Sequence, residues 1–260
     1  MTVFRSASSL RRVKFTTRYT FYPCEFDLPW GQLIELEFAC PLISEDDCYA
    51  VLRQCTNFTR LKLPFAHSDR QFPVIYLPRL EALMEFEHPL LPVAYRGFPT
   101  LHPFFLPSMK LLQIHSKYCD LPSMSVCSLM SRSSYPVEHL DINGMAALGI
   151  LPVLNEIPTL IELSLRGTGR YPLDRQKLVT FIVDRLPQLQ RITCDISIAD
   201  DLIAVLERKT NLARQHLHTS TSIQSIFIDC TMMEERRASS TRRSLSMFQA
   251  RGMNIILLGC

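Results

Sequence analysis

An α/β solenoid is the fold class the sequence predicts, with a curved parallel sheet on the concave side and helices on the convex side. Three observations lead there: a recurring L-x-x-L-x-L phrase, an apolar residue and proline ahead of several copies, and helical spacing between them. With any aliphatic or aromatic residue standing for Leu, the phrase occurs as Leu10-Val13-Phe15, Leu33-Leu36-Phe38, Phe58-Leu61-Leu63 and Met109-Leu112-Ile114. It continues as Val137-Leu140-Ile142, Leu160-Leu163-Leu165, Leu189-Ile192-Cys194 and Ile223-Ile226-Ile228. A ninth copy at Leu80-Leu83 is imperfect, with Glu85 at its third core position and Phe86 after it. The starts lie 22 to 34 residues apart, mostly within the period of leucine-rich repeats.

The second and third apolar positions are two residues apart, so they face one side of a half-buried strand. Leu77-Pro78, Leu106-Pro107, Ile157-Pro158 and Leu186-Pro187 precede strands. Proline disfavours helical geometry in the residue before it, so each pair is expected to stop a helix and deliver extended chain to the strand. Helices are expected over Asp47 to Gln54, Met124 to Ser131, Ala146 to Glu156, Arg175 to Leu186 and Asp200 to Lys209. In the fourth, Leu178-Phe181-Ile182-Arg185-Leu186 forms a stripe whose apolar members suit packing on a sheet. Strand–helix–strand units of this length place their strands parallel. The organisation expected is about nine repeats over 1–230, followed by a basic helical segment and terminal strand cap over 231–260.

The 260 residues are 47% apolar, enough for a buried core. No apolar run approaches the ~18–20 residues of a membrane-spanning helix, so a soluble chain with no membrane partner is expected. Nine cysteines with no CxxC pair indicate neither a disulfide framework nor a zinc ribbon, and suit a reducing compartment, cytoplasmic or nuclear. Of 28 bases, ten lie before Glu25 or after Glu235, leaving 18 against 25 acids and a charge of −7 over 25–235. An acidic body with basic ends argues against nucleic acid as a partner. Met1 to Tyr19, rich in Arg, Ser and Thr and without acids, also reads as a mitochondrial presequence, the alternative to a first repeat built on Leu10, Val13 and Phe15. The sequon Asn57-Phe58-Thr59 carries no expectation of glycosylation in an unexported chain.

Leu28-Pro29-Trp30-Gly31-Gln32-Leu33-Ile34-Glu35-Leu36, Val51-Leu52-Arg53-Gln54-Cys55-Thr56-Asn57-Phe58, Ser131-Arg132-Ser133 with Val137-Glu138-His139-Leu140, and Ala250-Arg251-Gly252-Met253-Asn254-Ile255 are the most distinctive phrases. In them the chain resembles the leucine-rich-repeat half of the large F-box protein family of mushroom-forming fungi. The resemblance implies a substrate-recognition part of a cullin-type ubiquitin ligase receptor. Family members carry an F-box near the N-terminus, and nothing before Leu28 reads as one. A ligase adaptor is therefore expected as a partner only if an F-box lies upstream; otherwise the expectation is a structural or regulatory scaffold without a ligase link.

No catalytic motif appears: there is no G-x-S-x-G elbow, P-loop or H-E-x-x-H, and Gly167-Thr168-Gly169 reads as a turn. No enzyme activity and no cofactor are expected. His216 and His218, or His115 and Cys119, have metal-ligand gaps but no second pair, so no metal is expected. Asp46-Asp47 and Asp200-Asp201 are read as helix N-terminal acids rather than acid/base pairs, and Glu234-Glu235 carries no assignment. Cys55 and Cys194 are read as small buried groups and Trp30 as a packing wedge. Arg236-Arg237-Ala238-Ser239 and Arg242-Arg243-Ser244-Leu245-Ser246 fit arginine-directed phosphorylation, against a solvated loop as the plainer reading.

Positions three, five and seven of the phrase point to the concave side. They place Arg12 and Lys14, Glu35 and Glu37, and Arg60 and Lys62 on successive strands ~4.8 Å apart, a charge ladder expected to satisfy itself. Beyond it, Met84, Phe86, Leu111, Gln113, His115, His139 and Asp141, with Asn143 at the margin, are the candidate protein-binding residues: an apolar and aromatic centre with a polar edge. The competing reading turns Phe86 inward through a bulge and covers Leu111 with the following loop.

Overall fold

The computed structural model describes residues 7–17, 19, 21–39, 43, 45–64, 73–86, 101, 103–115, 123–133, 137–144, 147–167, 172–215, 222–229, 249 and 253–258. The fold is α/β, and the chain divides into two compact units, Met1–Val137 and Glu138–Cys260.

In the first unit the strands are β1 (Arg12–Thr16), β2 (Glu35–Ala39), β3 (Arg60–Pro64), β5 (Ala82–Phe86) and β7 (Leu111–His115), all parallel and adjacent in chain order. Their register stacks Val13, Leu36, Leu61, Leu83 and Leu112 opposite one another, so the phrase's second core position recurs in one row. The third position does the same, with Leu63 opposite Glu85 and Glu85 opposite Ile114. The alternating burial of β2 and β7 shows the leucine side turned in and the other side half-exposed.

Both helices expected in this unit are present, with ends shifted by one or two residues. Helix α1 (Glu45–Leu52) leads into β3 and α2 (Ser123–Ser133) follows β7. The chain between β3 and β5 contributes a two-residue strand β4 (Ile75–Tyr76), and that between β5 and β7 contributes β6 (Phe104–Phe105), which pair parallel as a second small sheet. Leu77-Pro78 and Leu106-Pro107 therefore follow short strands rather than stopping helices. Pro73 and Pro78 flank β4, and Pro103 and Pro107 flank β6; they remove amide donors and fix φ, and the few residues between each pair leave no room for a helix there. At all four apolar–proline pairs the chain makes a turn: the amides of Leu80, Met109, Leu160 and Leu189 each bond the carbonyl three residues back, across Pro78, Pro107, Pro158 and Pro187.

The second unit follows the expected plan more closely. Strands β8 (His139–Asn143), β9 (Glu162–Arg166), β10 (Arg191–Asp195), β11 (Ser225–Asp229) and β12 (Asn254–Leu258) are again parallel neighbours. Leu140, Leu163, Ile192, Ile226 and Ile255 form one row, and Ile142, Leu165, Cys194, Ile228 and Leu257 the next. Helices α3 (Ala147–Asn155), α4 (Pro172–Arg185) and α5 (Ile196–Gln215) connect them. On α4 the buried stripe is Leu178, Val179 and Ile182, continued by Leu186, while Phe181 is half-exposed, so Val179 takes the place expected for Phe181. Lys209 Nζ reaches Asp184 Oδ1 (2.6 Å) and the Val183 carbonyl (3.2 Å), tying α5 to α4.

Helix α5 begins directly after β10, so Asp200-Asp201 lies more than a turn inside it rather than at its start. The N-terminal explanation fails for that pair; Asp201 instead meets Arg175 of α4 at 3.5 Å. The terminal strand of the expected cap is β12, while the expected helical stretch from 231 lies outside the described residues except Gln249.

Gly144 and Gly167 end β8 and β9 with positive φ (89° and 70°). A Cβ on Gly167 would sit 3.1 Å from both Cα and N of Gly144 and 3.2 Å from Asn143 Oδ1. Gly167→Ala combines left-handed backbone strain with backbone contact, and a loss of about 1–2 kcal/mol in urea unfolding is the expected outcome. An unchanged unfolding midpoint would show that neighbouring turns relax freely.

Candidate functional site

The expected charge ladder is present on the outward side of β1, β2 and β3. Register places Glu35 opposite both Arg12 and Arg60, and Glu37 opposite both Lys14 and Lys62. Glu35 meets Arg12 Nε at 3.4 Å and Arg60 Nη1 at 3.8 Å; Glu37 meets Lys14 at 3.1 Å and Lys62 at 2.8 Å. Partial burial works against ionisation of Glu37, but the hydrogen bonds and charges of Lys62 and Lys14 outweigh it and hold the carboxyl below its ordinary pKa.

Because the folded-state pKa is depressed, this carboxylate's contribution is present above its unfolded pKa, ~4.3, and is lost as pH falls through the folded value. Glu37→Gln is expected to cost about 0–1 kcal/mol near neutrality and to flatten the decline of stability on acidification. Denaturant midpoints of the two proteins between about pH 6 and 3 check this; equal slopes would remove Glu37 from the acid response.

These side chains wall a hollow of about 350 Å³, with Leu36 and Leu61 beneath and Met84 at its margin. The hollow lies over the ladder rather than over the expected apolar centre. Of the residues expected in that centre, Met84 is on β5 and Leu111, Gln113 and His115 are on β7; all four are half-exposed. Phe86 lies opposite His115 in the strand register, and its side chain is outside the described residues. Gln113 Nε2 is 2.8 Å from His115 Nε2.

His139 and Asp141 belong to β8 in the second unit, where both have partners within their own sheet. His139 Nδ1 lies 3.0 Å from Glu162 Oε2, and Glu162 also pairs with Arg191. Arg166 Nη2 donates to both carboxylate oxygens of Asp141, at 3.0 and 3.3 Å. Burial lowers the His139 pKa, Glu138 opposes that, and Arg191 adds to the lowering, so the imidazole is neutral at pH 7. This second row, His139-Glu162-Arg191, was missed in the sequence reading, although the positional rule that gives the first ladder also gives it when applied to β8, β9 and β10.

The phrases behind the family resemblance have structural roles. Trp30 is buried, as expected, and its ring centre lies 6.2 Å from that of Phe15. Asn57 donates to the Gly31 carbonyl (2.6 Å) and accepts from Arg79 (2.9 Å), linking three successive units of the chain. Arg132 donates to the Leu101 carbonyl, and buried Ser133 Oγ accepts from the Leu106 amide, so Ser131-Arg132-Ser133 holds the irregular chain around β6.

Cys55 donates to the Val51 carbonyl, and burial pushes the Cys55 and Cys194 thiols well above the ordinary range, which leaves them protonated and weakly nucleophilic. Among the described residues no group of three or more His, Cys, Asp or Glu is placed to hold a metal, and no helix is long and apolar enough to cross a membrane. His115 is described, whereas Cys119, His216, His218, Glu234-Glu235 and the arginine–serine phrases from Arg236 lie outside the described residues. No protein-family model matches the chain, and no curated protein is significantly similar to it.

Proposed function

We propose that the chain is a non-enzymatic protein-recognition module with the architecture of a leucine-rich-repeat solenoid, similar to the substrate-binding part of an F-box receptor of a cullin-type ubiquitin ligase. The observation that carries the recognition part is the outward side of the sheet. In-register parallel strands turn their leucines inward and leave a regular second side half-exposed, where the charged ladder of β1–β3 gives way to Met84, Leu111, Gln113 and His115. A rigid sheet that presents apolar anchors beside hydrated, paired charges suits binding of a protein surface, because desolvated anchors carry most interface energy. The ligase part rests on the resemblance of the phrases alone.

The test is affinity purification from the native cell with the chain as bait. The variant Met84→Ala/Leu111→Ala/His115→Ala is expected to keep its melting temperature within a few degrees and to lose the partners that the unaltered chain captures. A folded variant that retains every partner would overturn the reading of this face. Co-purification of a ligase adaptor with a longer form of the protein is expected under the receptor reading, and its absence from that form would favour a scaffold without a ligase link.

A further inference from the structure

Among the described residues the ladder holds more bases than acids. Six charged residues wall the hollow over β1–β3, four basic and two acidic. Each carboxylate is shared between two bases on flanking strands, which aligns the cations without neutralising them. Exposure separates the two signs: the Glu35 and Glu37 side chains are 29% and 27% exposed, whereas those of Arg12, Lys14 and Arg60 are 77%, 59% and 55% exposed, with Lys62 between at 37%. An approaching molecule therefore meets positive charge first and carboxylate only at the bottom.

We propose that this hollow is a docking surface for an acidic segment of a partner protein. The chemistry follows from the placement of the charges. Arg12 and Lys14 are two residues apart on one strand, as are Arg60 and Lys62, so each cationic pair repeats at ~6.6–7 Å along the strand direction. An extended peptide with Glu or Asp at alternate positions carries its carboxylates at that interval. Each base already holds a carboxylate within the ladder, so the side chains are pre-oriented for a second one, which lowers the ordering cost of binding.

Met84, half-exposed at the margin, offers apolar contact to the methylenes of a peptide. A nucleic acid backbone is the poorer occupant, because its continuous phosphates would run over Glu35 and Glu37. The inference rests on the reading of the outward sheet side as a recognition surface and adds the chemistry of what is recognised there.

Fluorescence anisotropy on the full chain at low ionic strength tests it, with a labelled peptide of about ten residues alternating Glu and Ser, a matched Lys and Ser peptide, and a single-stranded oligonucleotide. The acidic peptide is expected to bind and the basic one not. Arg12→Ala/Lys14→Ala is expected to weaken binding about tenfold, and Glu35→Gln/Glu37→Gln to tighten it several-fold. The opposite signs of the two effects separate a docking site from a general loss of folding.

No binding of the acidic peptide, or equal binding by both variants, would overturn the proposal, and tighter binding of the oligonucleotide would replace it with a nucleic acid surface. If acidic-peptide binding failed while alanine at Met84, Leu111 and His115 still abolished partner capture, this inference alone would fall.

Discussion

Leu163→Asp is expected to destabilise the second unit by about 4 kcal/mol or more, enough to leave a marginally stable chain largely unfolded. Leu163 is 1% exposed and sits on an interior strand of its row, opposite Leu140 on one side and Ile192 on the other. The substitution removes a buried side chain and also places a carboxylate where no cation can reach it. Thr193→Asp, on the half-exposed side of the neighbouring strand, is the control and is expected to cost less than about 1 kcal/mol. Urea unfolding of the two variants reads the difference. Equal costs would mean that the inward and outward sides of the sheet had been exchanged.

Phe38→Ala is expected to cost about 3–5 kcal/mol, the loss typical of a buried aromatic replaced by a methyl group. Phe38 is fully buried in the aromatic cluster that gathers around Phe15 of β1. Its ring centre lies 5.6 Å from that of Phe15, in a stacked arrangement, and 6.1 Å from that of Phe21. The cluster extends to Phe26 and Trp30 through Phe15. Phe26 is half-exposed, so Phe26→Ala is expected to cost distinctly less. If the two alanine variants unfolded at the same denaturant concentration, burial of Phe38 would not be what stabilises this end.

Much of the sheet was legible because parallel strands in register repeat one positional rule. Once Leu36 and Leu61 were placed inward, Glu35, Glu37, Arg60 and Lys62 had to face outward and meet across neighbouring strands. The same rule, carried to β8, β9 and β10, contains the His139-Glu162-Arg191 row, a polar row that apolar periodicity alone does not mark.

Helices were legible where their spacing was uninterrupted, as in α4. The start of α5 was not, because Asp200-Asp201 imitates an N-terminal acid pair while the helix grows straight out of β10. Strands β4 and β6 were hidden by their length, since two residues carry no period; the prolines flanking each were the available signal that these short stretches are not helical. The hollow over the ladder was not legible at all, since it depends on the depth of each charged side chain.

The most direct measurement of the central claim, that the outward sheet side is the recognition surface, is site-specific photocrosslinking to the captured partner. A photoreactive residue is placed either at Gln113 on β7 or at Met124 on α2, which is 86% exposed. The account predicts a crosslinked partner from position 113 and none from position 124. A partner crosslinked from position 124 alone would contradict it and assign recognition to the helix-bearing side.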